Sequence, residues 1–169
     1  MIRKLALAFA GLAVAAPVHA AEAPKVRALK DIYAAGFRDC SEKMAEAVAF
    51  VHEDDEAYDY LGSWSTNNPN TEMASAVTSQ TYTDGHGVAT VTAVKVQGGG
   101  CNVSITQALT VPEETCESLK TDAFKDWKPY AEFNEADVLE DPTSAGSHVV
   151  LTPIGKTACL MVKHIIVHQ

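Results

Sequence analysis

Between positions 74 and 97 the chain reads Ala74-Ser-Ala-Val-Thr-Ser-Gln-Thr-Tyr-Thr-Asp-Gly-His-Gly-Val-Ala-Thr-Val-Thr-Ala-Val-Lys-Val-Gln97, and no other segment constrains the architecture so tightly. Small and β-branched residues alternate on both sides of Thr83-Asp-Gly-His-Gly87. Period-two alternation is the signature of a half-buried strand, and Asp-Gly between two such runs marks a hairpin. Strands are therefore predicted over 74–82 and 88–97. Gly98-Gly-Gly100 lets the chain reverse, and Cys101 to Leu109 supplies a third strand with Val103 and Ile105 on the same side as Cys101. Three strands joined by short turns make an antiparallel meander.

Upstream, Val26, Leu29, Tyr33, Phe37, Cys40, Met44, Ala47 and Val51 recur in steps of three or four. That spacing traces one stripe of a helix and predicts a single long helix from Ala23 to Val51, charged on its other face. The acidic run Glu53-Asp54-Asp55-Glu56 follows, and Asn67-Asn68-Pro69-Asn70 is a turn cluster. Acids disfavour a helix C-terminus, so the helix should end before the run. Downstream, Thr110-Val-Pro-Glu113 fits a capping box and predicts a short second helix to about Thr121. From Trp127 to Asp141 no period emerges, although Trp127, Tyr130 and Phe133 recur every three residues as core-packing aromatics would. Ser147–Leu151 and Thr157–Val167 read as a closing hairpin over Pro153-Ile154-Gly155. No internal repeat, low-complexity tract or linker is visible. The expected fold is α+β: one long N-terminal helix packed on an antiparallel sheet of about five or six strands, with a short second helix and disulfide staples.

The first residues belong to another purpose. Arg3-Lys4, an apolar stretch from Leu5 to Ala16, and Val18-His19-Ala20 form the basic, apolar and small-x-small parts of a secretory signal peptide ending near Ala20. About a dozen apolar residues are too few for a bilayer that needs roughly 20, so membrane insertion is not expected. Residues 21–169 then form one domain, destined for the bacterial periplasm or the medium. Loss of Arg3 and Lys4 leaves 11 of the 13 basic residues against 22 acidic ones, a net charge of −11. Such a surface repels nucleic acid and anionic lipid and suits a basic protein partner.

Cys40, Cys101, Cys116 and Cys159 are even in number, and none is spaced C-x-x-C. In an oxidising compartment they read as two disulfides. Three pairings are open. An extended 101–109 segment carries Cys116 more than about 20 Å from Cys101, which favours Cys101 with Cys159 and Cys40 with Cys116.

No G-x-S-x-G elbow, H-E-x-x-H or phosphate-cradling loop is present, and nothing calls for a cofactor. His164 and His168 have metal-site spacing for a helix. The intervening Ile165-Ile166-Val167 favours a strand, which separates the rings by about 13 Å. The contiguous acids of 53–56 lack the alternation, glycine and glutamate of a calcium loop. A helix followed by a meander resembles the cystatin-like inhibitors, with Val94-Lys95-Val96-Gln97-Gly98 near the place of their inhibitory hairpin. The glutamine that opens the cystatin motif is Val94 here, so membership is not assigned. The expectation is an exported, non-enzymatic binding protein, of inhibitor or immunity type, that captures a basic protein. The contact residues expected are Asp84, His86, Asn67 and Asn68 at turns and Glu53, Asp54, Asp55 and Glu56 in the acidic run. The alternatives are a small periplasmic hydrolase using carboxylate or histidine chemistry and an accessory subunit of an envelope assembly. The oligomeric state stays open.

Overall fold

The computed structural model describes residues 26–52, 58–82 and 85–168. The signal segment, residues 1–20, lies outside them. The expected long helix is replaced by two short ones, α1 (Lys30–Ala34), entered through a 3-10 turn at Arg27–Leu29, and α2 (Ser41–Val51). The break is made by Gly36 at φ 112°. The Gly36 amide donates to the Tyr33 carbonyl at 3.1 Å and the Phe37 amide to that of Ile32 at 3.2 Å, the paired bonds of a Schellman cap. Apolar spacing of a helix persists through the break because both helices lie on the same surface. Phe37, in the break, is itself buried.

That surface is one antiparallel sheet of eight strands, where five or six were expected. The strands are β1 (Tyr58–Trp64), β2 (Ala74–Tyr82), β3 (Gly85–Lys95), β4 (Cys101–Val111), β5 (Lys128–Phe133), β6 (Ala136–Glu140), β7 (His148–Ile154) and β8 (Ala158–Val167). The first meander gains β1 at its outer edge, and the unreadable stretch after Trp127 is the hairpin β5–β6. The short helix is α3 (Cys116–Thr121). It starts later than the capping box implied, because β4 continues to Val111 and the cap is Thr115, whose hydroxyl accepts from the Ser118 amide at 3.1 Å.

The strand order β1-β2-β3-β4-β8-β7-β6-β5 holds a repeat that residue identities hide. Each half is a helix followed by a four-strand meander, and the two halves meet through their last strands. The disulfides repeat the pattern. Cys40, just before α2, bonds Cys101 at the start of β4, and Cys116, opening α3, bonds Cys159 near the start of β8. This corrects the expected pairing of Cys101 with Cys159 and Cys40 with Cys116. Strands β4 and β8 are antiparallel, with Cys159 opposite Val111. Ten residues of strand, about 33 Å, therefore separate Cys101 from Cys159. Thr106 and His164, equally spaced from Cys101 and Cys159, face each other at the centre of the junction.

Alternation assigns the two faces. On the helix side, Ala89, Val91, Ala93, Val103 and Ile105 pack with Phe37, Met44 and Val48. A separate cluster joins Leu139, Val149, Leu151 and Cys159 to Leu119 and Phe124. No described element covers the other face. In the first half it carries mostly Ser and Thr, with Leu61, Val77 and Val88 exposed, as a solvated antiparallel face requires.

Candidate functional site

Pairing sends every turn of the sheet to one of two ends. At the tip end β2 stops at Tyr82 and β3 starts at Gly85; there too lie the end of β4, the β5–β6 and β7–β8 turns, and the start of β1. The chain segments that join elements at this end, 53–57, 83–84, 112–115, 134–135 and 155–157, hold eight carboxylates against one lysine, Lys156. Counted the same way, the connections of the far end, 35–40, 65–73, 96–100, 122–127 and 141–147, hold five carboxylates, Asp39, Glu72, Asp122, Asp126 and Asp141, against Arg38 and Lys125. Glu72 and Asp141 are consumed internally. The Ser65 hydroxyl and the Asn68 amide hold Glu72 below the usual carboxylate range, and the Thr143 hydroxyl and amide do the same for Asp141.

Glu53, Asp54, Asp55, Glu56 and Asp84 lie outside the described residues. Their flanks are firmly placed. The His52 ring stacks on Tyr58 with centroids 4.3 Å apart, pinning the two ends of the acidic segment together. His52 is buried, with Nδ1 2.6 Å from Gln80 Oε1 and Nε2 2.6 Å from Thr78 Oγ1. Both ring nitrogens are thus engaged, with the tautomer setting the direction of each bond, and the Thr78 hydroxyl also donates to the Ala89 carbonyl at 3.4 Å. This histidine is a structural clamp that anchors the segment to β2. His86 is exposed at the same end, 3.2 Å from Thr81 Oγ1.

The structure does not bring Asn67 and Asn68 to this end. They sit in the β1–β2 turn, separated from His86 by the length of β2, roughly 27 Å. The work of that turn is local. Asn70 Oδ1 accepts from the amides of Arg38 at 2.7 Å and Asp39 at 2.8 Å, tying the turn to the α1–α2 connection. Asp39 also meets Lys95, and these two side-chain partners, Lys95 before Asn70, hold its carboxyl below the usual range.

Sequence reasoning missed a row on the open face. In register across the sheet stand Thr106, His164, His148 and Glu140. His164 Nδ1 is 2.9 Å from Thr106 Oγ1, and the Tyr130 ring lies 4.5 Å from that of His148. His148 Nε2 is 4.0 Å from Glu140 Oε1 and makes no hydrogen bond among the described residues. The two histidines, 16 residues apart, become neighbours through the register of the β7–β8 hairpin. His164 and His168, the pair that spacing suggested, fall in and just after strand β8, as the β-branched residues between them required. Among the described residues no group of three or more His, Cys, Asp or Glu is arranged to hold a metal ion. No described helix is long and apolar enough to cross a membrane.

The chain matches no family model, no curated protein and no solved structure.

Proposed function

We propose that this chain is an exported, non-enzymatic binding protein that captures a basic protein through the tip end of its sheet. The observation that carries the reading is the charge asymmetry of the connections, eight carboxylates and one lysine at one end against five carboxylates and two bases at the other, where Asp39, Glu72 and Asp141 are held by local partners. A cationic partner is attracted over a Debye length and oriented toward that end. Two disulfides and an eight-stranded sheet make the platform rigid, so little ordering entropy is lost on binding. Export rests on residues 1–20 and on cysteines paired as an oxidising compartment pairs them.

The test is association of the mature chain with a cationic model protein such as lysozyme, followed by biolayer interferometry as salt is raised. The wild type should associate quickly at low salt and slow steeply with added salt. The variant Glu53→Lys, Asp54→Lys, Asp55→Lys, Glu56→Lys should associate about 10-fold more slowly or worse. Equal on-rates for the two proteins at low salt would remove the tip end from consideration.

A second reading, an accessory subunit of an envelope assembly, draws support from the open face. Leu61 and Val77 are direct cross-strand partners, Val88 is diagonal to Val77, and all three are exposed. Adjacent exposed aliphatics on a sheet face mark a contact surface. Val77→Asp should abolish association with such an assembly and leave capture of a basic protein intact.

A further inference from the structure

We infer that the groove between α2 and β8 binds an amphipathic anion, an aliphatic carboxylate, with its head at Lys163 and its chain along Ile165 and Val167. On the helix side of the sheet the two buried clusters do not merge. The gap between them lies over the β4–β8 junction, where each half presents its last strand. A hollow of about 230 Å³ opens there. Its floor is Val103, Ile105, Ile165 and Val167, and its wall is Ala47 and Phe50 of α2. Phe50 is 64% exposed and Val167 41%, so apolar surface faces water at both of these walls, over a floor whose Val103 and Ile105 are buried.

Charge selects the occupant. Lys163 is the next residue of β8 on the same face as Ile165 and Val167. Its Nζ lies 5.8 Å from the ring centroid of Phe50, which lines the groove, and 5.7 Å from that of Trp127, so aromatic rings from both halves hold the ammonium beside the groove. Among the described residues Lys163 forms no ion pair. Asp141 feels its charge, while its own carboxylate is engaged by the amide and hydroxyl of Thr143. At the other mouth Lys43 is already paired with Glu46 at 2.8 Å, which neutralises the one carboxylate on the rim. Among the described residues Lys163 is thus a cation without an ion pair beside a groove lined mostly by apolar side chains. From Lys163 to Val167 the strand spans about 13 Å, room for a medium-length alkyl chain laid along β8.

The probe is decanoate, titrated into the full mature chain and followed by calorimetry and by the fluorescence of Trp127. Decanol, the same chain without the anion, is the control. Saturable one-to-one binding of decanoate is expected, with decanol at least about 10-fold weaker and Lys163→Met weakening decanoate by about the same factor. Ile165→Glu should abolish binding. Val167→Asp, at an exposed position, serves as the second groove variant should Ile165→Glu lose its native circular dichroism. Absence of saturable binding overturns the site, and equal affinity of decanol, or of Lys163→Met for decanoate, overturns the head-group assignment. A wild type that sediments as a dimer and becomes monomeric on Val167→Asp overturns the proposal in favour of a second copy seated in the groove.

Discussion

Removing either disulfide should cost this protein nearly the same amount, and the two costs should add. The bond Cys40–Cys101 spans 61 residues and Cys116–Cys159 spans 43. Loop-closure entropy for those spans corresponds to about 4.3 and about 4.0 kcal/mol at 25 °C. The loops do not overlap in sequence, and each lies within one helix-and-meander half, so neither bond pre-closes the other's loop. A domain of this size is stable by about 5–15 kcal/mol, so each paired-alanine variant should lose a large share of that margin and the quadruple variant about twice as much. Urea unfolding of the variants Cys40→Ala with Cys101→Ala, and Cys116→Ala with Cys159→Ala, measures the two losses. A protease site inserted between Val111 and Thr115 tests the connectivity beneath the argument. Cut and denatured without reductant, the chain should separate into two fragments. Fragments that stay covalently joined would show bonds crossing between the halves, and losses below about 1 kcal/mol in both variants would show that loop closure is not what these bonds supply.

Other expectations concern single contacts. Gly85 has φ 155°, and a Cβ there would come within 2.3 Å of the Thr110 carbonyl oxygen, which is backbone. Gly85→Ala should therefore lose roughly 2–3 kcal/mol. Gly98→Ala, at φ 98° in open space, should lose only about 1–2 kcal/mol, and equal losses in the urea midpoint would refute the steric argument. Thr78→Val strips the buried His52 Nε2 of its hydroxyl partner and should cost about 1–3 kcal/mol; a neutral result would mean the ring finds another partner or turns away. Asp39 and Asp141 both have folded-state acidities strengthened by their partners, so their contribution is present above the unfolded value near 3.8 and is lost as pH falls through the lower folded value. Thermal melts between neutral and strongly acidic pH should show a shallower acid limb for Asp39→Asn with Asp141→Asn than for the wild type. Both carboxylates are substantially solvated, so the neutral-pH stability should change by under about 1 kcal/mol, and an unchanged acid limb would dismiss these two groups.

Much of the strand content was legible from residues 74 to 111, because there one face is buried and the other is Ser and Thr, and alternation is what that asymmetry writes into a chain. The hairpin β7–β8 was legible for the same reason, and so was the extended state of Ile165-Ile166-Val167 between two histidines. Edge strands escaped. β5 is exposed along nearly its whole length and interrupted by a register shift between Pro129 and Ala131, so no period marks it. The helix was legible as a stripe but not as two pieces, since α1 and α2 bury the same side and only the cap at Gly36 records the break. Of the expected contact residues, the acidic run and Asp84 belong to connections, and His86 to the start of β3, at one end of the sheet. Asn67 and Asn68 belong to a turn that holds the opposite end together.

The order of residues alone determined which segments are extended, where the chain reverses, and that four cysteines would pair. Those properties depend on neighbours a few positions apart. The tertiary structure alone decided that β4 lies beside β8 and runs against it. From that single pairing follow the connectivity of the disulfides, the meeting of Thr106 with His164 at the centre of the junction, and the groove beside which Lys163 stands between two aromatic rings. Each joins residues whose proximity is set by strand register across long stretches of chain, and register is a property of the assembled sheet.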